Sequence, residues 1–235
     1  MRNIKIKIFA DGADIKSIKK LNKLNYVKGF TTNPTLMRKS GIKNYLKFAN
    51  DISKVIRSKP ISLEVFSDKL DEMEIQALKL SKISKNFNIK IPITNSKGKS
   101  TNKVIYNLVS KGVICNITAI FTFDQIKNLM KKLPKNTKII LSVFAGRIAD
   151  SGIDPEILLK KLNKFLKNYK NVELLWASTR ETFNIIQAQR SGCDIITVPY
   201  SILSKLNLIG KNQKKFSLET VNMFKVDAEK AKYKI

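Results

Sequence analysis

From end to end the chain alternates short apolar, β-branched runs with longer amphipathic stretches, eight times over, and few folds accept that rhythm. Runs at 4–10, 27–31, 61–66, 89–91, 113–118, 138–144, 173–177 and 195–198 have the length and composition of strands. Between them, segments at 14–25, 42–57, 69–86, 100–111, 122–132, 155–167 and 180–191 are patterned as helices, followed by a short one at 201–206 and a terminal one near 218–232. Asp154-Pro155-Glu156 places a capping carboxylate before a first-turn proline, and the Ser-Gly pairs at 40–41 and 191–192 suit helix exits. Eight βα units without a linker predict one α/β domain over residues 1–235, a closed (β/α)8 barrel of the TIM type with an extra C-terminal helical extension at about 217–233. An open doubly wound sheet is disfavoured, because no Gly-rich dinucleotide turn follows the first strand.

The fourth run contains a lysine where a buried strand has little room for one. In Asn88-Ile89-Lys90-Ile91-Pro92 a single amine sits among branched aliphatics and proline ends the run. A desolvated ammonium needs a partner or a lowered pKa, and a desolvated lysine is the raw material of a Schiff-base nucleophile. The plainer alternative is a lysine near a strand end whose head reaches water. If Lys90 faces the barrel axis, the two-residue period puts Ser62 and Glu64, Asn116 and Thr118, Ser142 and Phe144, and Phe9 and Asp11 on the same side, with Trp176, Ser178 and Arg180 from the seventh strand. These polar groups cluster near the C-terminal ends of six strands, where barrels of this kind assemble active sites. Taken singly, an Asp after a strand is more often a helix cap and an Arg there a surface residue. Together, a lysine, two carboxylates, hydroxyls and two arginines point to iminium chemistry on a phosphorylated sugar.

Composition narrows the chemistry. Without a single histidine, imidazole bases and histidine-bearing metal sites are excluded, and Cys115 with Cys193 are too few for a disulfide framework or a four-cysteine zinc site. Two buried, reduced thiols, a charged alternating N-terminus over residues 1–8 and no membrane-length apolar run make a soluble, cytoplasmic protein the expectation. The net charge of +27 invites a nucleic-acid reading, yet only six of 45 basic residues are arginine and the lysines are spread over nearly every helix. Lys160, Lys161, Lys164 and Lys167 form the densest basic face, which a solvated helix explains more simply. Nucleic acid is therefore disfavoured as a partner, and attraction of small phosphorylated substrates is the cheaper consequence.

Seven ordered strings carry a family resemblance: Phe9-Ala10-Asp11-Gly12-Ala13, Thr31-Thr32-Asn33-Pro34-Thr35, Leu63-Glu64-Val65, Ile89-Lys90-Ile91-Pro92, Cys115-Asn116-Ile117-Thr118-Ala119-Ile120-Phe121, Phe144-Ala145-Gly146-Arg147-Ile148 and Ala177-Ser178-Thr179-Arg180. Over nearly the whole chain, to Pro199, it resembles the transaldolases and their short-chain branch, which includes the fructose-6-phosphate aldolases. The resemblance implies a class I Schiff-base enzyme with no metal or organic cofactor, moving a dihydroxyacetone unit between sugar phosphates such as sedoheptulose 7-phosphate and erythrose 4-phosphate. It makes Lys90 the iminium lysine, Asp11 the acid/base of carbon–carbon cleavage, and Glu64 with Thr118 the pair that positions water. Asn33, Asn116 and Ser142 would contact the dihydroxyacetone part, Phe144 would line it, and Arg147, Ser178 and Arg180 would hold the phosphate. Glu64 and Phe144 match the transferase type; members releasing dihydroxyacetone tend to carry glutamine and tyrosine there. A lyase, an enzyme for another sugar and a non-catalytic polyanion binder remain as alternatives. The chain departs from the pattern at Gly12, Val143 and Thr179, expected to shape the mouth and so the choice of acceptor. The resemblance further implies ring-shaped homo-oligomers built through the terminal helix, where Leu218, Val221, Met223, Phe224 and Val226 form an apolar stripe; the other expectation is that the stripe packs on its own barrel.

Overall fold

The computed structural model describes residues 4–234; Met1–Asn3, the start of the charged N-terminal run, and Ile235 lie outside them. Strands β1 (Lys7–Asp11), β2 (Val27–Thr31), β3 (Ile61–Glu64), β4 (Phe87–Pro92), β5 (Cys115–Ile120), β6 (Ile139–Val143), β7 (Val172–Trp176) and β8 (Ile195–Pro199) pair in parallel and in sequence order, and β8 returns to β1. The barrel is closed. Helix α1 (Ile15–Asn22) follows β1, α2 (Pro34–Lys39) and α3 (Tyr45–Val55) follow β2, and α4 (Leu70–Ser81), α5 (Asn102–Ser110) and α6 (Phe123–Met130) follow β3, β4 and β5. After β6 come α7 (Ala145–Asp150) and α8 (Pro155–Leu166), after β7 comes α9 (Phe183–Arg190), and α10 (Tyr200–Leu203), a 3-10 turn at Leu206–Leu208 and α11 (Gln213–Ala231) end the chain.

The two-residue period of each strand sorts its side chains into two cores. Outward residues such as Ile8, Leu63, Ile89, Ile117, Leu141 and Val198 meet Ile18, Ile52, Ala77, Ile105, Leu159 and Ala188 of the helices. At about 1.5–3 kcal/mol per fully buried branched side chain, this layer supplies most of the hydrophobic stabilisation. A small second cluster, Phe9, Ile140, Leu175, Ala177 and Ile195, fills the barrel itself, with Phe144 packed against it. Gly29 makes room for it: a Cβ there would lie 2.6 Å from the Phe9 ring.

Strand seven corrects the inward set. Ser142 pairs with Leu175 and Val143 with Trp176, so Leu175 and Ala177 face the axis while Trp176 is buried in the outer layer. Counting back in twos from Ser178 fails because Ser178 adopts φ +66°, which breaks the alternation between it and the strand. Two short helices were also not foreseen, α2 and α7, each too brief to show a period. Asn33-Pro34 nevertheless carries a start signal: Asn33 Oδ1 accepts from Leu36 N at 2.9 Å and Pro34 opens the helix. Strand β1 begins later than expected because the amides of Lys5 and Ile6 donate to Gln189 Oε1 of α9 instead of a neighbouring strand. Helix α9 likewise starts late, since Asn184 Oδ1 accepts from the amides of Arg180 and Glu181 and holds that stretch as a turn.

The apolar stripe of helix α11 is left uncovered by the described residues of the barrel. None of its residues is buried, and Leu218, Val221 and Phe224 are each about 60 % exposed. Cys115 and Cys193 are free and buried, and burial pushes both thiols up, Cys115 to about 12. Among the described residues no helix is long and apolar enough to cross a membrane.

Candidate active site

At the C-terminal ends of the strands the barrel opens into a cavity of about 460 Å³. Its centre is Lys90, brought inside by β4 and only 7 % exposed. The ammonium is not isolated: Nζ lies 2.9 Å from Glu64 Oε2, its register neighbour on β3, and donates to the Thr32 carbonyl at 2.8 Å. Partner and acceptor together offset the cost of burying the charge. Glu64 is in turn pinned from behind, where the Tyr45 hydroxyl donates to its carbonyl at 2.8 Å.

Asp11 stands at the end of β1, directly across from Thr31 of β2, whose hydroxyl donates to Asp11 Oδ1 at 2.7 Å. Burial raises the Asp11 pKa, opposed by the Lys90 charge and the Thr31 hydrogen bond and assisted by the Glu64 charge. Thr31 also hydrogen-bonds to Thr197 of β8. On the other side of Lys90, the Thr118 hydroxyl is buried, lines the cavity and has no partner among the described residues. A buried orphan hydroxyl costs about 1–3 kcal/mol, so it is retained against stability. Ala119, next to it, has φ +58°, and Ser178 has φ +66°. Two non-glycine residues in the left-handed region therefore line one cavity, each storing strain of the order of 1–3 kcal/mol.

The mouth is basic. The Arg147 guanidinium, on α7, lies 5.3 Å from the centroid of the Phe144 ring. Arg180 is gripped by Asp150, with Nε at 3.0 Å from both carboxylate oxygens and Nη2 at 2.6 Å from Oδ2, while Nη1 donates to the Ser178 carbonyl at 2.9 Å. That guanidinium holds Asp150 below the usual carboxylate range. Gly146 brings the two segments together: a Cβ there would lie 1.6 Å from the Ser178 carbonyl oxygen, so no larger residue fits without moving the loop.

Of the residues singled out in the sequence, Asp11, Asn33, Glu64, Lys90, Thr118, Ser142, Phe144, Arg147, Ser178 and Arg180 line this cavity. Asn116 does not. It is fully buried behind the wall, donating to Ser62 Oγ at 3.0 Å and accepting from Ser142 Oγ at 2.6 Å, so it orients Ser142. Thr31, Thr197 and Asp150 were missed, although extending the two-residue period to β2 and β8 puts both threonines inside.

A profile described as Transaldolase/Fructose-6-phosphate aldolase matches residues 8–235. The chain belongs to the transaldolase/fructose-6-phosphate aldolase family. It is 34 % identical over 202 residues to a protein of Thermoanaerobacter sp. (strain X514) named "Probable transaldolase", covering 86 % of this chain and 89 % of that one. It is 35 % identical over 202 residues to "Probable transaldolase 2" of Listeria monocytogenes, covering 86 % and 88 %. Among solved structures, the thiamine phosphate pyrophosphorylase from Pyrococcus furiosus superposes with a TM-score of 0.55 at 11 % identity, covering 85 % of this chain and 88 % of that one. A structure described as native KDPGal gives a TM-score of 0.56 at 12 % identity, covering 83 % and 82 %. These two show the fold alone. Of the three departures from the family pattern, only Thr179 lines the cavity; Val143 is buried in the outer layer, and Gly12 is not part of the wall. Val143 and Gly12 therefore do not shape the mouth as expected, and Thr179 is the one of the three that meets the cavity.

Proposed function

We propose that this family member is a class I transaldolase that moves a dihydroxyacetone unit from a ketose phosphate to an aldose phosphate. The observation that carries the reading is Lys90, an amine buried inside the barrel with a carboxylate 2.9 Å away and a second carboxylate, Asp11, lining the same cavity. Glu64 takes a proton from the ammonium, and the freed Nζ adds to the C2 carbonyl of the ketose to give a carbinolamine. Loss of water, protonated through Glu64 and a molecule held by the Thr118 hydroxyl, leaves the iminium. Asp11 then removes the proton of the C4 hydroxyl, the C3–C4 bond breaks, its electron pair flows into the iminium as an enamine, and an aldehyde departs. An incoming aldehyde reverses these steps, and water hydrolyses the new iminium.

Arg147, Ser178 and Arg180 fit the phosphate, with Asp150 setting the orientation of Arg180 before substrate arrives. Asn33 and Ser142 fit the hydroxyls of the three-carbon unit. The Phe144 ring offers no proton to the enamine, which supports transfer over release. Buried thiols and the lack of a membrane-crossing helix among the described residues are consistent with a reducing, cytoplasmic setting. The bare apolar face of α11 supports a homo-oligomer, which sedimentation at several concentrations tests. Product analysis with and without an aldose phosphate tests the transferase reading itself. Turnover that requires the acceptor is expected, with Phe144→Tyr shifting product toward free dihydroxyacetone. Equal turnover without acceptor, releasing dihydroxyacetone from the unsubstituted protein, means a lyase.

A further inference from the structure

The cavity floor holds a hydroxyl pair that the steps above do not use. Asp11, on β1, is flanked by β2 on one side and β8 on the other, and each neighbour contributes one inward threonine, Thr31 and Thr197, both buried. The two hydroxyls hydrogen-bond to each other, and Thr31 Oγ1 donates to Asp11 Oδ1 at 2.7 Å. Beneath them, Phe9 is in register with both Gly29 and Thr197, and its ring fills the space where a Gly29 side chain would stand. The Thr197 backbone is fixed as well: Thr179, the one departure that lines the cavity, donates its hydroxyl to the Thr197 carbonyl at 2.6 Å.

We infer that Thr197 and Thr31 form a directional hydroxyl relay that positions Asp11 for proton transfer, with Thr197 acting through Thr31. The direction follows from valence. An ionised carboxylate only accepts, so the single hydrogen of Thr31 is committed to Asp11, and the contact between the threonines is made by the Thr197 hydrogen. Polarised by its neighbour, Thr31 is a stronger donor than a lone hydroxyl. The relay occupies Oδ1 and leaves Oδ2 for a substrate hydroxyl. It favours the carboxylate form of Asp11, opposing the burial that raises its pKa. No other described residue hydrogen-bonds to the Thr197 hydroxyl, so a protonated Asp11 that reversed the relay would leave it without an acceptor. The charged groups facing Asp11 are Lys90 from β4 and Glu64 from β3; β2 and β8 contribute hydroxyls, and α10, packed over β1, carries no charged side chain.

The catalytic half of this inference rests on the transaldolase reading, and a carbon-13 titration of the Asp11 carboxyl separates the two. In Thr197→Val, which keeps the shape and removes the hydroxyl, the Asp11 titration moves to higher pH, kcat falls roughly tenfold with its acid limb displaced the same way, and KM changes little. Thr197→Ser restores all three, and Thr31→Val, a second route to the same readout should the first variant not fold, gives the larger shift. An unchanged Asp11 titration in folded Thr197→Val overturns the relay. A shifted titration supports it, and if the unsubstituted protein then shows no ketose adduct on Lys90, the enzymatic reading fails separately.

Discussion

At Thr118 the proposed reaction and stability pull in opposite directions. Its hydroxyl is buried at 2 % exposure without a hydrogen-bond partner among the described residues, next to Ala119 in a left-handed conformation. Structure alone gives no reason to keep an oxygen there. Thr118→Val removes the orphan group at constant volume, so the melting temperature stays the same or rises by a few degrees, while kcat falls by about 10²-fold or more if the hydroxyl holds the water that carries protons. Calorimetry beside steady-state kinetics checks both halves, and a drop in melting temperature with unchanged kcat would mean a structural hydroxyl. Among the described residues the indole nitrogen of Trp176 is the other buried side-chain polar atom without a partner, and nothing in the structure explains it.

Elements transmit the same economy. The loop after β7 is held by α7, where Gly146 lets the Ser178 carbonyl approach and Asp150 grips Arg180. Gly146→Ala forces the loop away, so KM for a phosphorylated donor rises at least about tenfold while that for an unphosphorylated analogue changes far less. Equal changes for the two substrates would show that the loop does not serve the phosphate. Farther out, α8 and α9 are clasped through Glu156, a buried carboxylate hydrogen-bonded by Arg190, Gln187 and Ser191. Arg190 is the main reason its pKa falls to about 2. Because the folded value lies below the unfolded one of about 4.5, this carboxylate stabilises the fold above pH about 4.5, and its contribution, at most about 3 kcal/mol, is lost as the pH falls toward 2. Denaturant melts of Arg190→Ala should show a smaller loss over that window than the unsubstituted protein; an identical acid profile would place the stabilisation elsewhere.

For the whole molecule, the barrel was legible because eight strands repeat one chemical pattern, and a closed parallel ring follows from their number. The placement of the candidate site was legible because Lys90 interrupts an apolar strand and its two-residue period carries over to Glu64, Asn116 and Ser142. That logic broke where the backbone broke it. Ser178, with its positive φ, turned Trp176 to the wrong face, and α2 and α7 are shorter than any helical period can reveal. Asn116 faces inward as its parity demands but sits behind Ser142, a matter of depth that spacing does not encode. Side-chain grips such as Asp150 on Arg180 join residues from different βα units, so neither periodicity nor spacing exposes them.

Lys90 decides the account. Incubating the protein with a ketose phosphate, reducing with borohydride and mapping the peptides by mass spectrometry asks whether that buried amine, and not the many surface lysines, condenses with the substrate. The account predicts a reduced sugar-phosphate adduct on Lys90 alone, absent in Lys90→Met. An adduct confined to other lysines, or turnover that continues in Lys90→Met, would contradict it.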